Sequence, residues 1–275
     1  MQIELQLFCR GNDVLAFDYY HELGSALYQT LDRAFPALAR ELHDGKHRDR
    51  IKLFVFSPLS SDPKPVFGEL PNGIRGLKFG SRVWMRFASI WPEMVYHLAD
   101  ALQRAKELQI RGVRFGLERL EMVPAPDFSP TMTYRPFGQS GFIACRYNRD
   151  RKSFFQMPDD SEPGIPSCRE LIAGNLRHKL LRLREIRPDV FENLMSIGGM
   201  DASAVESLPI GVEFLPLKED LPYRTRLTRI KDLNVRGFRA PVRITAPEAV
   251  HRLAWSSGLG GLNSQGFGLV VQGGN

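Results

Sequence analysis

The order of strand-like and helix-like segments repeats along the chain, and this repeat most limits the fold. In each half the segments follow one another as strand, helix, strand, strand, helix, strand. That order is typical of the ferredoxin-like split βαβ unit. We therefore predict an α+β protein of two tandem ferredoxin-like domains with a C-terminal glycine-rich loop, the domains spanning residues 1–124 and 125–275.

The first half shows the order most clearly. Strand patterns cover residues 2–9, 52–56, 82–87 and 112–122, and helix patterns cover residues 18–34 and a segment opened by Trp91-Pro92-Glu93. Apolar stripes predict the inward faces of the helices, with Tyr20, Leu23, Leu27 and Leu31 in the first and Met94, Leu98, Leu102 and Ala105 in the second. The stretch from Ser60 to Gly80 is rich in Pro and Gly and is predicted to be loop.

The second half follows a connection marked by Pro124, Pro126 and Pro130. Strand patterns cover residues 141–147, 210–215, 224–230 and 235–245, of which the second and third are predicted to pair as a hairpin. Capping boxes at 167–170 and 245–248 predict two helix starts. The first helix places Ile172, Leu176, Leu180 and Leu183 inward and Arg177, Lys179, Arg182 and Arg184 around the rest, and the second places Val250, Leu253 and Ala254 inward.

A glycine-rich loop from Gly258 to Gly268 lies between the last helix and the last strand. It holds two Gly-x-Gly units separated by a short polar segment. Glycine permits positive φ and close approach of the backbone, so the loop could cradle phosphate with its N–H groups. A tight helix-to-strand connection explains the glycines equally well. A dinucleotide fingerprint requires the order strand, glycines, helix, which is reversed here.

Positive charge is concentrated in residues 222–243. The chain has a net charge of +6, and this segment alone holds seven basic residues against Asp232: Arg224, Arg226, Arg229, Lys231, Arg236, Arg239 and Arg243. Such a cluster favours a polyanionic partner, and the dominance of Arg favours phosphate and base contacts. A solvated, charged hairpin is the alternative.

The number and spacing of the cysteines, together with the hydropathy, limit the cellular compartment in which the protein is expected. Cys9, Cys145 and Cys168 are odd in number and lack Cys-x-x-Cys spacing. This argues against a disulfide framework or a zinc site and suits a reducing cytoplasm. No stretch approaches the roughly eighteen apolar residues of a membrane span. We expect a cytoplasmic protein without a cofactor.

These features resemble the CRISPR repeat-cleaving endoribonucleases of the Cas6 family over nearly the whole chain. The most specific element is Gly258-x-Gly260…Gly266-Phe267-Gly268-Leu269-Val270, preceded by Val235–Thr245 and a short helix. Near the N-terminus, Tyr19-Tyr20, Leu27-Tyr28, Leu42-His43 and Lys52–Ser57 are similar to the family's first helix, catalytic loop and second strand. The chain departs from the family in having no basic residue between the two Gly-x-Gly units.

The resemblance implies metal-free RNA cleavage. The ribose 2′-hydroxyl attacks the adjacent phosphate and leaves a 2′,3′-cyclic phosphate and a 5′-hydroxyl, a reaction that needs a base, an acid and a stabilising cation. His43 matches the family's catalytic histidine, and His47 is a second candidate for the base. Tyr28 matches a positioning or protonating tyrosine, and Lys52 a lysine that stabilises the charged phosphorane. The two histidines could also be a metal pair, but Gly45 weakens a helix between them and no third ligand is evident.

Two elements are expected to bind the RNA: the basic strand and the glycine-rich loop. The candidate residues are Arg224, Arg226, Arg229 and Lys231 in the first and Gly258, Gly260, Asn263, Ser264, Gln265, Gly266 and Gly268 in the second. The basic helix from Arg177 to Arg184 is a further candidate surface. The partner implied is CRISPR repeat RNA, together with other effector-complex subunits.

Two other functions remain open. The first is a catalytically inactive RNA-binding subunit of a CRISPR effector complex, which the absence of a cation within the loop favours. The second is a small-molecule enzyme on a ferredoxin-like scaffold, because fold alone does not determine function. The arginine-rich segment argues against the second.

Overall fold

The computed structural model describes residues 1–9, 13–36, 52–138, 141–150 and 152–273. The predicted histidines His43 and His47 lie outside these residues. No helix within the described ranges is both long and apolar enough to span a bilayer.

The first half consists mainly of one antiparallel sheet and two helices. Its main strands are β1 (Gln2–Cys9), β3 (Phe54–Phe56), β7 (Arg82–Ser89), β8 (Glu107–Ile110) and β9 (Val113–Val123), and its helices are α1 (Tyr20–Ala34) and α2 (Pro92–Ala105). The strands are arranged in the order β3-β7-β1-β9-β8. Counting β1, β3, β7 and β9 as first to fourth, the order is second, third, first, fourth, which is the ferredoxin-like arrangement.

The stretch from Ser60 to Gly80 contains strands, so its prediction as loop is wrong. It holds β4 (Ser60–Asp62), β5 (Val66–Glu69) and β6 (Arg75–Lys78). β4 pairs with β7, whereas β5 and β6 form a small sheet with β2 (Val14–Ala16). The strand pattern is hidden because glycines occupy strand interiors. At Gly76, for example, a Cβ would lie 2.1 Å from the carbonyl oxygen of Leu15, so only glycine lets these strands approach.

The second half has the same arrangement built from four strands. β10 (Thr131–Pro136), β13 (Gly211–Phe214), β16 (Val242–Thr245) and β17 (Val270–Gln272) lie in the order β13-β16-β10-β17. Helix α3 (Cys168–Ile186), α4 (Pro188–Ile197) and α5 (Glu248–Ser257) complete it. The prediction of two ferredoxin-like domains is therefore confirmed, and the boundary near residue 124 stays a prediction.

Two hairpins are added to this second sheet unit, and they change several predicted pairings. β11 (Cys145–Arg149) pairs with β12 (Lys152–Gln156), and β14 (Arg224–Ile230) pairs with β15 (Leu233–Arg239). The first strand of the unit is thus residues 131–136, not 141–147. The predicted pairing of residues 210–215 with 224–230 is wrong, since β13 pairs with β16. The predicted strand 235–245 divides at Ala240-Pro241, because proline cannot donate to a ladder.

The helix predictions are mostly confirmed by burial. The apolar stripes of α1, α3 and α5 are buried, as are Met94, Leu98 and Leu102 of α2, whereas Ala105 is exposed. Ser167 and Glu170 form the predicted capping box. The second predicted box is wrong, because Pro247 is the N-cap of α5 and makes no side-chain cap. Helix α4 was not predicted.

The structure also revises two expectations about single side chains. Lys179, predicted on the outer face of α3, is completely buried. The reason is its position three residues after Leu176, which brings it onto the same face as the apolar stripe. Cys145 and Cys168, distant in sequence, are free thiols in contact in the core of the second half, with sulfurs 2.6 Å apart.

Candidate RNA-binding and cleavage site

The glycine-rich loop is buried and tightly folded. Gly258, Gly260, Gly266 and Gly268 all have positive φ. A Cβ on Gly268 would lie 2.0 Å from the carbonyl oxygen of Leu259, and one on Gly258 would lie 2.8 Å from Nδ2 of Asn263. These glycines are therefore required for packing as well as for backbone conformation.

Internal hydrogen bonds use many of the polar groups of this loop. The Asn263 side chain donates to the carbonyls of Leu259 (3.1 Å) and Phe267 (3.0 Å), which joins the two ends of the loop. The backbone N–H groups of the following glycines also donate within the protein: Gly258 to Ala254, Gly266 to Asn263, and Gly268 to Phe142. These three amides are thus engaged in the fold, which differs from the predicted open cradle. Ser264 and Gln265 are half-buried, and Oε1 of Gln265 is itself buried and accepts no hydrogen bond from the described residues.

The loop packs against helix α1 of the first half. A Cβ on Gly266 would lie 2.9 Å from Cδ1 of Tyr20, and one on Gly24 would lie 3.4 Å from the carbonyl oxygen of Ser264. The rings of Tyr20 and Phe267 are 5.7 Å apart. Small residues at these points let the loop and the helix approach closely. The loop therefore connects the two ferredoxin-like units at α1.

Arg226 of the basic hairpin reaches the same end of α1. Its guanidinium carbon lies 5.3 Å from the ring centroid of Tyr20 and 5.9 Å from that of Phe142. Burial raises the pKa of Tyr20 to about 12, and the nearby positive charge of Arg226 opposes this increase. Arg226 thus places a cation beside the glycine-rich loop, whose own polar segment has none.

The other basic residues of the strand do not share this position. Strand alternation places Thr225, Leu227 and Arg229 on the face opposite to Arg226, and all three are exposed. Arg229 lies 4.0 Å from Asp232 and donates to the carbonyl of Lys231 at the hairpin turn. Arg224 is exposed at the start of the strand. The four predicted basic residues therefore belong to two faces of the hairpin, and one of them, Arg226, reaches Tyr20, against which the loop packs.

Lys52 and Tyr28 contact each other near the middle of α1, about two turns beyond Tyr20. The ammonium group of Lys52 donates a hydrogen bond to the Tyr28 hydroxyl and lies 4.3 Å from the centroid of its ring. Burial lowers the pKa of Lys52. Burial also raises the pKa of Tyr28, which keeps its hydroxyl protonated near neutral pH. Tyr28 can therefore donate a hydrogen bond but cannot serve as a base.

One stripe of α1 connects these contacts. Tyr20, Gly24 and Tyr28 are spaced four residues apart, so they lie on the same face of the helix. Along this face the helix meets first Arg226, then the loop at Ser264, then Lys52. With a rise of about 1.5 Å per residue, the stripe is roughly 12 Å long. Because Tyr20 and Gly24 are buried, this length gives the approximate separation of the two cations and does not describe an open groove.

Lys179 contacts the start of the loop from the protein interior and was not predicted to have a role. Its ammonium group donates to the carbonyls of Ser257 (2.8 Å) and Gly258 (2.7 Å), where α5 ends and the loop begins. Burial lowers its pKa to about 7. The sequence signal was its place on the apolar face of α3.

The predicted basic surface of α3 is partly engaged within the protein. Arg177 donates to the carbonyl of Leu208, and Arg182 pairs with Glu185.

Two family models match the chain and together cover most of it. The model described as CRISPR-associated protein Cas6, N-terminal, matches residues 14–121. The model described as CRISPR associated protein Cas6, C-terminal, matches residues 143–271. The stripe of α1, Lys52, the basic hairpin and the glycine-rich loop all fall within these matches.

Individual relatives agree over nearly the full length. A curated relative, CRISPR-associated endoribonuclease Cas6 1 of Methanocaldococcus jannaschii, is 24% identical over 273 residues, which are 98% of this chain and 92% of the relative. A solved Cas6-related protein of Pyrococcus furiosus is 19% identical with a TM-score of 0.70 and covers 99% of this chain and 98% of its own. A solved structure described as an RAMP protein binding different RNA substrates is 19% identical with a TM-score of 0.66 and covers 99% of both chains. The structural likenesses show the shared fold.

Proposed function

The chain belongs to the Cas6 family of CRISPR-associated proteins, and we propose that it is an endoribonuclease that cuts CRISPR precursor RNA within its repeats. One observation carries this proposal. Arg226, the glycine-rich loop and Lys52 follow one another along the Tyr20–Gly24–Tyr28 stripe of α1. Tyr20 and Gly24 are buried against the loop, so RNA cannot contact the stripe itself. A ribonucleotide chain that crosses the outer surface of the loop would meet a cation at each end, with polar groups of Ser264 and Gln265 between them.

The proposed chemistry needs no metal ion. The 2′-hydroxyl beside the scissile phosphate loses its proton to a base and attacks phosphorus, and the bond from phosphorus to the 5′-oxygen breaks. An acid protonates the departing 5′-oxygen, so the products are a 2′,3′-cyclic phosphate and a 5′-hydroxyl. Lys52 stabilises the additional negative charge on the phosphorane, and the Tyr28 hydroxyl orients Lys52 or donates to the phosphate. Because burial keeps Tyr28 protonated, the base must be another group. His43 is proposed for that role with His47 as the alternative, since an imidazole titrates near neutral pH.

RNA contacts are proposed on both sides of the loop. Arg226 contributes charge from the hairpin, and the exposed Arg224 extends it on the same face. The exposed Arg229 and Lys231 are proposed to make weaker contacts from the opposite face, near the hairpin turn. In the loop, Ser264 and Gln265 provide side-chain contacts, and Asn263 holds the loop in shape. The glycines act by permitting this close packing. The missing cation within the loop is compensated by Arg226.

Cleavage of a repeat RNA in EDTA tests the proposal. The wild-type protein should cut the RNA at one position with the metal chelated. His43→Ala should lower the single-turnover rate about a hundredfold or more while the dissociation constant changes little. The matched His47→Ala variant identifies which of the two is the base. Tight binding without cutting at any pH would instead indicate the catalytically inactive RNA-binding subunit of an effector complex.

A further inference from the structure

The β11–β12 hairpin presents a pair of aromatic rings on one of its faces. Tyr147 and Phe154 are directly opposite in the antiparallel register. Their ring centroids are 5.3 Å apart and their planes differ by 20°, so the rings are stacked. Phe154 nevertheless remains 40% exposed. With this exposure, the stacked ring leaves a flat apolar surface in contact with water. A nucleic-acid base can cover such a surface.

Positive charge lies on the same face, next to the rings. Arg149 and Lys152 form an opposed pair two residues closer to the hairpin turn than Tyr147 and Phe154. Both side chains are therefore on the face of the aromatic pair. Arg149 is 66% exposed and its contact with Asp150 is long, at 3.7 Å. An exposed ion pair of this length contributes little energy, so the guanidinium can contact a phosphate.

The hairpin is joined to the proposed RNA-binding site by hydrogen bonds. The N–H of Gly261 in the glycine-rich loop donates to the carbonyl of Ala144, the residue before β11, at 2.8 Å. A Cβ on Gly261 would lie 3.7 Å from Cβ of Arg146. Ile143 is bridged to Phe238 of β15, so the two hairpins are also connected to each other. Arg146 alternates with Tyr147, so the loop lies beside the face of the hairpin opposite to the aromatic pair. An RNA strand that leaves the loop would therefore pass the edge of the hairpin to reach the rings.

From these contacts we propose that the β11–β12 hairpin binds an unpaired segment of the same RNA, with one base stacked on Phe154 and adjacent phosphates on Arg149 and Lys152. The inference rests on the proposed function and extends it to a second part of the substrate. The ligand is single-stranded, because the faces of a base inside a duplex are already covered by its neighbours. The combination of aromatic rings with a basic surface is the general means by which proteins bind single strands.

A purely structural role for the aromatic pair predicts a different result. Opposed aromatic residues stabilise a hairpin, and an isolated two-stranded hairpin is otherwise marginal. Under that role, replacing Phe154 would lower the melting temperature and change RNA binding only through loss of structure. The test therefore measures stability and RNA binding on the same variants.

Phe154→Leu removes the aromatic face and keeps an apolar side chain. We expect its dissociation constant for a full repeat RNA to rise roughly 5- to 150-fold, the range found for loss of one stacked base. Phe154→Trp should bind as tightly as the wild type. Phe67→Leu is the matched control, because Phe67 is 82% exposed on β5 of the first half and should leave binding unchanged. Melting temperatures identify any variant that has lost its fold.

A fluorescent base shows the stacking directly. When 2-aminopurine is moved along the repeat, we expect quenching at one unpaired position in the wild type and recovery of fluorescence there in Phe154→Leu.

The salt dependence of binding tests the two basic residues. In an Arg149→Ala/Lys152→Ala double variant, whose changes are at exposed positions, the slope of log affinity against log salt should fall by about 1.4, because two phosphates of a single strand are no longer neutralised. The Phe67→Leu control should cut the repeat RNA at the wild-type single-turnover rate.

The outcomes separate this inference from the proposed function. If the wild type binds and cuts repeat RNA, but folded Phe154→Leu binds within twofold of it and restores no fluorescence, the inference is overturned and the nuclease proposal stands. If the wild type binds no repeat RNA even at low salt, the proposed function falls and the inference falls with it.

Discussion

The ammonium group of Lys179 donates a 2.7 Å hydrogen bond to the carbonyl oxygen of Gly258, the residue at which the glycine-rich loop begins. A second bond, to the carbonyl of Ser257, is 2.8 Å long. The last carbonyls of a helix lack partners inside the helix and carry its negative dipole end, so a cation is well placed there. Lys179 of α3 therefore caps α5 and holds the start of the loop from within the core.

The buried position of Lys179 predicts a pH-dependent stability. Burial lowers its pKa to about 7, whereas an unfolded lysine titrates near about 10.4. Between these values the unfolded chain binds more protons, so the stability of the wild type should rise with pH relative to Lys179→Met, by at most about 1.4 kcal/mol per pH unit. Urea unfolding of both proteins from pH 6 to pH 9.5 measures this difference. Parallel stability curves would contradict it.

Gly268→Ala should unfold the loop or destabilise the protein. The added Cβ would lie 2.0 Å from the carbonyl oxygen of Leu259 at a φ of +80°. We expect a loss of at least about 2 kcal/mol, together with weaker RNA binding. Gly174→Ala is the control, because a Cβ there meets nothing within 4 Å. As an exposed helical position, it should gain up to about 1 kcal/mol in thermal unfolding. Equal effects of the two substitutions would show that the loop tolerates a side chain.

Arg226 and Arg229 should differ in their effect on RNA binding. Arg226 faces Tyr20, against which the loop packs, whereas Arg229 lies on the opposite face near Asp232. Arg226→Ala should weaken binding about tenfold or more, and Arg229→Ala should weaken it less. Filter binding at several salt concentrations gives the affinity of each variant and, from the salt slope, the number of phosphates that each arginine neutralises. A larger effect of Arg229→Ala would place the RNA on the other face of the hairpin.

Lys52 should determine how the cleavage rate falls at high pH. Burial lowers the pKa of this lysine, so its positive charge is lost at a lower pH than usual. In Lys52→Arg the charge persists, since a guanidinium stays protonated up to about pH 12. The descending limb of the pH–rate profile should therefore move to higher pH in this variant, and Lys52→Ala should be slow at every pH. Single-turnover rates from pH 6 to pH 10 provide the test. An unchanged descending limb would assign that limb to another group.

The amphipathic helices and the twofold order of elements could be predicted from the sequence. Periodic apolar residues such as Leu23, Leu27 and Leu31 carry a local signal, and all three are buried as expected. The strands between Ser60 and Gly80 could not be predicted, because their glycines are explained only by neighbouring strands distant in sequence. The pairing of β13 with β16 could not be predicted for the same reason, since a hairpin between nearest strands is the simpler expectation.

The candidate site was predictable in its residue types and less so in its geometry. The resemblance to the family led to Tyr28 and Lys52, and the structure brings these two into contact. Which strand arginine meets the loop depends on the side of the hairpin that packs against α1, and that is a tertiary property. The internal bonding of the glycine amides also depends on distant partners such as Phe142. The position of Lys179 on the apolar face of α3 indicates that its side chain could be buried. A buried ammonium group needs hydrogen-bond partners, and these carbonyls, of Ser257 and Gly258, are known only from the structure.

The central claim is that the substrate supplies its own nucleophile at a metal-free site. The most direct measurement is single-turnover cleavage, in EDTA, of a repeat RNA with one 2′-deoxy nucleotide immediately before the scissile phosphate. We predict that the unmodified RNA is cut to a 2′,3′-cyclic phosphate and a 5′-hydroxyl, and that the 2′-deoxy RNA binds with the same affinity and is not cut. Cutting of the 2′-deoxy RNA at the same position would contradict the account, because the attack would then come from a different nucleophile.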